Sequence, residues 1–517
     1  MPPTSATVQV WIDWGTDGFA VAGADPDAPL ARGLPEGSTS VSDNITNDVE
    51  RLDWHRGGQF DLLGGQQPGG ATITVKNTTG KYSPDNTASV LYGLLKPGRP
   101  VWIGAVDQAA ATYGLFGGFL REVVPLPRVK YAQLICVDAF AVYAEAPARV
   151  SFSESRSVQD FRCAILTSMG EAARANLTAE PDPCLVSGAD VSNALALLEA
   201  LNSATGTRHW IEPGVTKENW YSYETMDRNT SLGNTTPTYS LAGTEFQAMA
   251  GYRLTNDTLI NRQRITPHPR EFPATVKAIS EVWRSPLVPF TLRANETHTV
   301  YAELGGWVKS ATASASNSII DGQMGVVVDG LLVAGTIPIT ATTTSYGRSA
   351  RIDLVATSDA TVTGLVVTGL AAIEPSTAIM VAEDTNSANV YGVIREAPPV
   401  DAEYIGSLAQ AQGLADHIVF RSAAPRTRPT IQTINDVGKT LTNGMHDVIG
   451  LSLTDLSISN RRYEIVGING NIERDPTDTA SKLWTFDWTL LETPYQTNVG
   501  LFVLDTSATN GTDILGI

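Results

Sequence analysis

The chain has 517 residues, of which 42% are hydrophobic and 17% charged, and its formal net charge is −18. Such a length accommodates roughly three to four domains, and the acidic balance excludes sustained attraction to DNA, RNA or an anionic membrane. No run approaches the roughly eighteen apolar residues that a membrane span requires. The amino-terminal MPPTSATVQVWIDWG lacks a basic n-region and an apolar h-region, so no signal peptide is expected and the product reads as cytosolic when made. Cys136, Cys163 and Cys184 have neither metal-ligand nor C-x-x-C spacing and read as small hydrophobes in a reducing compartment.

In chain order, strand signals come first. ATVQVWID alternates, with Val8, Val10 and Ile12 on one face, and GATITVKN repeats the pattern with Ile73 and Val75. RPVWIGAV, YGLFGGFLREVVPL and KYAQLICVDAFAVY follow, separated by turn residues, so residues 1–145 read as a β-barrel-like domain. Helical period begins with SVQDFRCAILTSMG, where Ser157 is the expected N-cap and Val158, Phe161, Ile165 and Met169 form the stripe. In ADVSNALALLEALNSATG, Asp190 is the expected cap, Val191, Ala194, Leu195, Leu198 and Leu201 form one face, and Gly206 ends the helix. Strands resume at TRHWIEP, giving a small α+β domain over 146–275. Residues 276–375 are short alternating strands with Gly, Asn and Ser turns, an inserted β-sandwich. After a linker-like EDTNSANVYGVIREAPPV, Ser407 caps a helix whose buried side holds Leu408, Ala411, Leu414, Ala415 and Ile418. The closing strands include KLWTFDWTLLE, which puts Trp484, Phe486, Trp488 and Leu490 on one face, so 376–517 reads as a helix plus a second barrel-like domain. The expected fold class is mainly β and multidomain, α+β overall.

Signatures of catalysis are missing. Gly438-Lys439-Thr440 ends a run without the upstream glycine of a P-loop, since Thr433 stands there, and no helix is expected to follow. No H-E-x-x-H, G-x-S-x-G or helix-backed G-x-G-x-x-G occurs. The six histidines are dispersed; His446-Asp447 lacks an elbow serine for a triad. AGADPDAP and NGNIERDPTD lack the regular ligand spacing of a calcium loop and read as turns. Trp283 and Trp307 are candidate sugar-stacking residues, Trp307 the one singled out as a glycan contact, against a reading of both as core residues. No catalytic, cofactor or metal residue is assigned.

The segment Asn77 to Pro100 is a long polar connection between two strands. Its residues Asn77, Gly80, Tyr82, Ser83, Pro84, Asn86, Leu91, Tyr92, Gly93, Leu95, Pro97, Gly98, Arg99 and Pro100 form an ordered motif. With VWIDWGTDGFA, ITNDVERLDWHRGG and YGLFGGFLREV, it resembles the amino-terminal domain of minor tail proteins from siphophages of actinobacteria. Thinner echoes (DTLINRQRIT, VPFTLRANETHTVYAEL, SANVYGVIREAPPV, DVIGLSLTDLSISNRRYEIVGINGNI) continue almost to the end. The resemblance implies a structural, non-enzymatic tail-tip hub in the virion. It implies a homotrimer with two barrels per copy, set between a distal tail protein or the last tube ring and the tip or fibre proteins. The tape-measure protein is an implied neighbour, as is a channel for DNA ejection. Proline stiffening without a nucleophile makes the 77–100 connection a docking surface, with Tyr82, Pro84, Tyr92, Lys96 and Arg99 as candidate subunit contacts. Alternatives are a cell-wall hydrolase or an adhesion module for host surface glycan, acting through the 276–375 insert.

Overall fold

The computed structural model describes residues 6–14, 44–57, 67–154, 156–178, 183–184, 187–217, 219–226, 237, 239–243, 246–252, 259–272, 280–286, 289–316, 326–328, 331–333, 339–362, 364–374, 378–435, 437–456, 458–474 and 482–493. The first stretch of chain lays down β1 (Ala6–Ile12), β2 (Val49–Gly57), β3 (Gly70–Lys76), β4 (Pro100–Asp107), β5 (Thr112–Leu126) and β6 (Tyr131–Val137). The alternation read in β1 holds, because Val8, Val10 and Ile12 are all buried while the residues between them are not.

The mainly-β, multidomain architecture is present, but its two terminal β units are not two closed barrels. They join in one twelve-stranded sheet with the order β1-β4-β5-β6-β3-β2, then Ile458–Arg474, Lys482–Glu492, Thr430–Ile434 and Ala248–Ala250. Strand Val448–Leu453 pairs beside Ile458–Arg474 and carries Tyr239–Ala242 parallel to it. The junction is β2 against Ile458–Arg474, with Leu52 opposite Ile472 and Trp54 opposite Gly470. A methyl group on Gly470 would meet the Trp54 ring at 2.0 Å, so the indole occupies the space a side chain would take. Trp54 also meets Phe486 edge-to-face, with centroids 5.5 Å apart. One hydrophobic core consequently runs from Val8 to Leu490, and the aromatic face of KLWTFDWTLLE is buried in it.

A second core surrounds α1 (Ala139–Glu145), α2 (Val158–Ser168) and α3 (Ala194–Thr205). Ser157 caps α2 as read, its hydroxyl accepting from the Asp160 amide. The cap of α3 is Asn193, not Asp190: Asp190 and Val191 extend instead in strand Ser187–Val191, paired to Ala148–Ser153. Gly206 closes α3 with φ 72°, the left-handed conformation that glycine adopts without Cβ strain.

The insert has its own core, in which Val300, Ile352 and Leu354 face Val308, Leu365 and Val367 across two small sheets. Helix Leu408–Ser422 forms a fourth core with strands Arg262–Pro267, Met380–Glu383 and Val400–Ala402. Ser407 caps that helix as expected, but Leu408 is 45% exposed and does not join the buried side. Two further short helices interrupt stretches read as irregular, Thr385–Tyr391 in the linker and Val437–Thr442 around Gly438-Lys439-Thr440.

Candidate functional site

The connection 77–100 is built by its own motif residues. Backbone turns close at intervals of three: Gly80 N–H to Asn77, Ser83 to Gly80, Asn86 to Ser83, Ser89 to Asn86 and Tyr92 to Ser89, all 2.9–3.2 Å. The side chains of the same residues lock these turns. Asn77 accepts from the Tyr82 amide at 2.9 Å and donates to the Ser83 hydroxyl at 3.1 Å. Asn86 donates to the Gly80 carbonyl, and Ser89 to that of Lys81. Gly80, Gly93 and Gly98 all have positive φ, which is why the motif demands glycine there. The result is a rigid, self-hydrogen-bonded loop, not a phosphate cradle.

Two of the five candidate contacts in this loop point inward. Tyr82 is fully buried, beside Trp14, and its hydroxyl donates to Asp48 at 2.6 Å. Burial opposes the charge on Asp48, yet hydrogen bonds from Lys81 and Tyr82 outweigh it and hold the carboxyl below its ordinary value. Arg99 is 6% exposed and donates to the Leu94 carbonyl. Tyr82 anchors the loop to its own domain through Asp48, and the Arg99 carbonyl does so through the Leu120 amide. Pro84, Tyr92 and Lys96 are exposed, joined by Val90, which sequence reading passed over.

Trp307 is buried at 4% exposure and offers no open face to a sugar. It lies where the insert meets the helical unit, with the Arg270 guanidinium 4.6 Å above its ring and Phe152 at 6.5 Å. Lys309 pairs there with Glu154, and Ser349 donates to Asp190. Trp307 is a joint residue. The first acidic stretch, AGADPDAP, lies outside the described residues, whereas the NGNIER part of the second is strand.

The outer face of the large sheet carries a trough of about 620 Å³ across the junction of its two halves. Strand pairing lines up Ile135, Thr72, Asp53, Asn471 and Thr485 in one row. The next row holds Gly70, His55, Asn469, Asp487 and Gln432. Arg121 enters from a bulge in β5, where an extra residue re-aims the side chain. Gly70 is a floor position: a Cβ there would meet the His55 ring at 2.8 Å. Asp53 accepts two hydrogen bonds from Arg51, at 2.8 and 2.9 Å, and another from Asn471. Asp487 accepts from Gln432 at 2.9 Å. Among the described residues no group of three His, Cys, Asp or Glu could hold a metal ion. Alternation in RLDWHR and INGNIER marks these side chains as outward-facing, but nothing local brings Asp53 beside Asn471.

His446 sits in a buried charge cluster and has no serine partner among the described residues. It contacts Glu464 at 2.7 Å, and Glu464 also pairs with Arg208 and, at 3.4 Å, with Arg421. This arrangement ties the strand Arg208–Pro213, the helix Leu408–Ser422 and the last β unit together.

No known family profile and no curated sequence matches the chain. Among solved structures, it is similar to a tail protein from Neisseria meningitidis at 9% identity and TM-score 0.47, over 94% of this chain and 97% of that one. It is also similar to the prophage tail protein gp18 from Listeria monocytogenes at 8% identity and TM-score 0.37, covering 87% and 91%. A third similarity is to a Francisella PdpA–VgrG complex at 9% identity and TM-score 0.41, covering 96% of this chain and 60% of that chain.

Proposed function

We propose that the chain is a structural, non-enzymatic protein of a phage tail, assembled as a trimeric hub ring at the tail tip. It joins the distal tail protein or last tube ring to tip or fibre proteins, beside the tape-measure protein, and leaves an axial path for DNA. The observation that carries this reading is the 77–100 loop. The residues that resemble the minor-tail-protein motif are those that fold the loop and hold Pro84, Val90, Tyr92 and Lys96 out at its surface. A loop rigid before contact loses little entropy on docking, which suits an assembly surface.

Cryo-electron microscopy of the assembled particle tests the proposal. Three copies in a ring at the tail end are expected. A position outside the tail, or a ring without threefold symmetry, overturns it. Tyr92→Asp tests the docking loop: the purified chain keeps its melting temperature while tail assembly in infected cells falls.

A further inference from the structure

We propose that the trough on the outer face of the large sheet is a binding site for a neutral saccharide. Its volume of about 620 Å³ falls within the roughly 300–1,000 Å³ of small-ligand sites. The lining mixes apolar surface, from residues such as Ala71 and Ile135, with polar side chains. The side chains of His55, Thr72, Arg121, Asn469 and Thr485 face it with no hydrogen-bonding partner among the described residues. Asp487 has Oδ1 engaged by Gln432, while Oδ2 has no partner among the described residues. Amide, hydroxyl, imidazole, guanidinium and carboxylate groups therefore offer donors and acceptors side by side. A polyol, each of whose hydroxyls both donates and accepts, satisfies that mixture.

Other ligand classes fit less well. Asp53 and Asp487 repel an anion such as a phosphate, Arg121 opposes a simple cation, and no three-ligand metal group is present among the described residues. A peptide added as a β-strand needs an unpaired edge, whereas β3, β2, Ile458–Arg474 and Lys482–Glu492 are each paired on both sides. The carboxylates are also held in place before any ligand arrives, Asp53 by Arg51 and Asn471 and Asp487 by Gln432. Such fixed planar groups are the kind that read the directions of neighbouring hydroxyls.

The full chain is tested on an array of neutral hexose, pentose and N-acetylhexosamine oligosaccharides, and any hit is titrated calorimetrically as the free sugar. The expected result is binding of at least one neutral oligosaccharide. Asn469→Ala, which removes a donor and an acceptor, and Thr72→Trp, which fills the trough, should each weaken it by about tenfold or more. In the unmutated protein, the same sugar should shift the His55 imidazole signal in the NMR spectrum, a readout independent of how the variants fold. Val390→Ala, on the exposed side of helix Thr385–Tyr391 and absent from the trough lining, leaves the affinity unchanged. The inference is overturned by an absence of neutral-sugar binding, by binding that leaves His55 unmoved, or by preference for acidic sugars or peptides.

Discussion

Glu464 is the buried carboxylate on which Arg208, Arg421 and His446 converge, and all four side chains are 7% exposed or less. Removing its charge leaves cations in a low-dielectric interior without their counter-ion. Glu464→Gln is therefore expected to destabilise the chain by about 3–5 kcal/mol, read as a lower denaturant midpoint. A loss below about 1 kcal/mol, the range of an exposed pair, would mean that solvent reaches the cluster. His446 adds a pH signature. Burial, then the charges of Arg208 and Arg421, hold its imidazole well below the ordinary value of 6.5. Its 2.7 Å contact with Glu464 assigns the proton of the neutral ring to Nδ1. The native state thus keeps His446 neutral, and the unfolded chain takes up a proton below pH 6.5. This stability is present above pH 6.5 and is lost as pH falls through the lowered native value. Asp138 slopes the other way: burial, against hydrogen bonds from Gly69, Phe140 and Ala141, raises it from 3.8 to about 7, so its contribution is lost as pH rises through that range. The His446 slope is isolated by His446→Gln, whose melting temperature should fall less than the parent's between pH 7 and 5. Equal falls would remove His446 as the cause.

At the scale of elements, the two caps of the helical unit show what local chemistry can decide. Ser157 is followed by Asp160, so serine capping was legible, and its pairing with Pro183 in the two-residue strand Arg156–Ser157 does not displace the cap. Before α3, the expected cap was Asp190, whereas the structure places Asn193 there, three positions on. The choice is made by tertiary pairing: Asp190 accepts from Arg149 and from Ser349, a residue of the insert. Periodicity could not see that partner, and the helix starts later than expected, at Ala194. Asn193 accepts from the Ala196 amide at 2.9 Å. Asn193→Ala should accordingly cost about 1 kcal/mol, measured by chemical denaturation, whereas Asp190→Asn should leave α3 intact and loosen its contact with the insert. A larger loss of helical signal from Asp190→Asn would return the cap to Asp190. The same division explains the 77–100 loop. Its turn residues were legible from glycine and proline chemistry, but the burial of Tyr82 and Arg99 depends on Asp48 and Leu120, which come from separate strands or their flanks.

For the whole molecule, alternation identified β-rich material at both ends of the chain and could not show that the two ends are one sheet. That union rests on pairing between residues such as Asp53 and Asn471, 418 positions apart, where side-chain period is the same whichever strand lies alongside. The one local trace of it is Gly470, a glycine inside a strand, which marks close approach of another group. That group is Trp54, whose ring would lie 2.0 Å from an added Cβ. Gly470→Val places three carbons in space the indole fills, within a core that is already close-packed, and should cost about 1–3 kcal/mol. The pattern of the loss tests the union more sharply than its size. If the junction is a single cooperative element, hydrogen exchange should accelerate together in β2 and in Ile458–Arg474, and the two terminal units should still melt in one transition at lower temperature. If exchange rises only in the strand that carries the substitution, the halves are stable independently. The trough that spans them would then owe its shape to docking of two finished units and not to one continuous sheet.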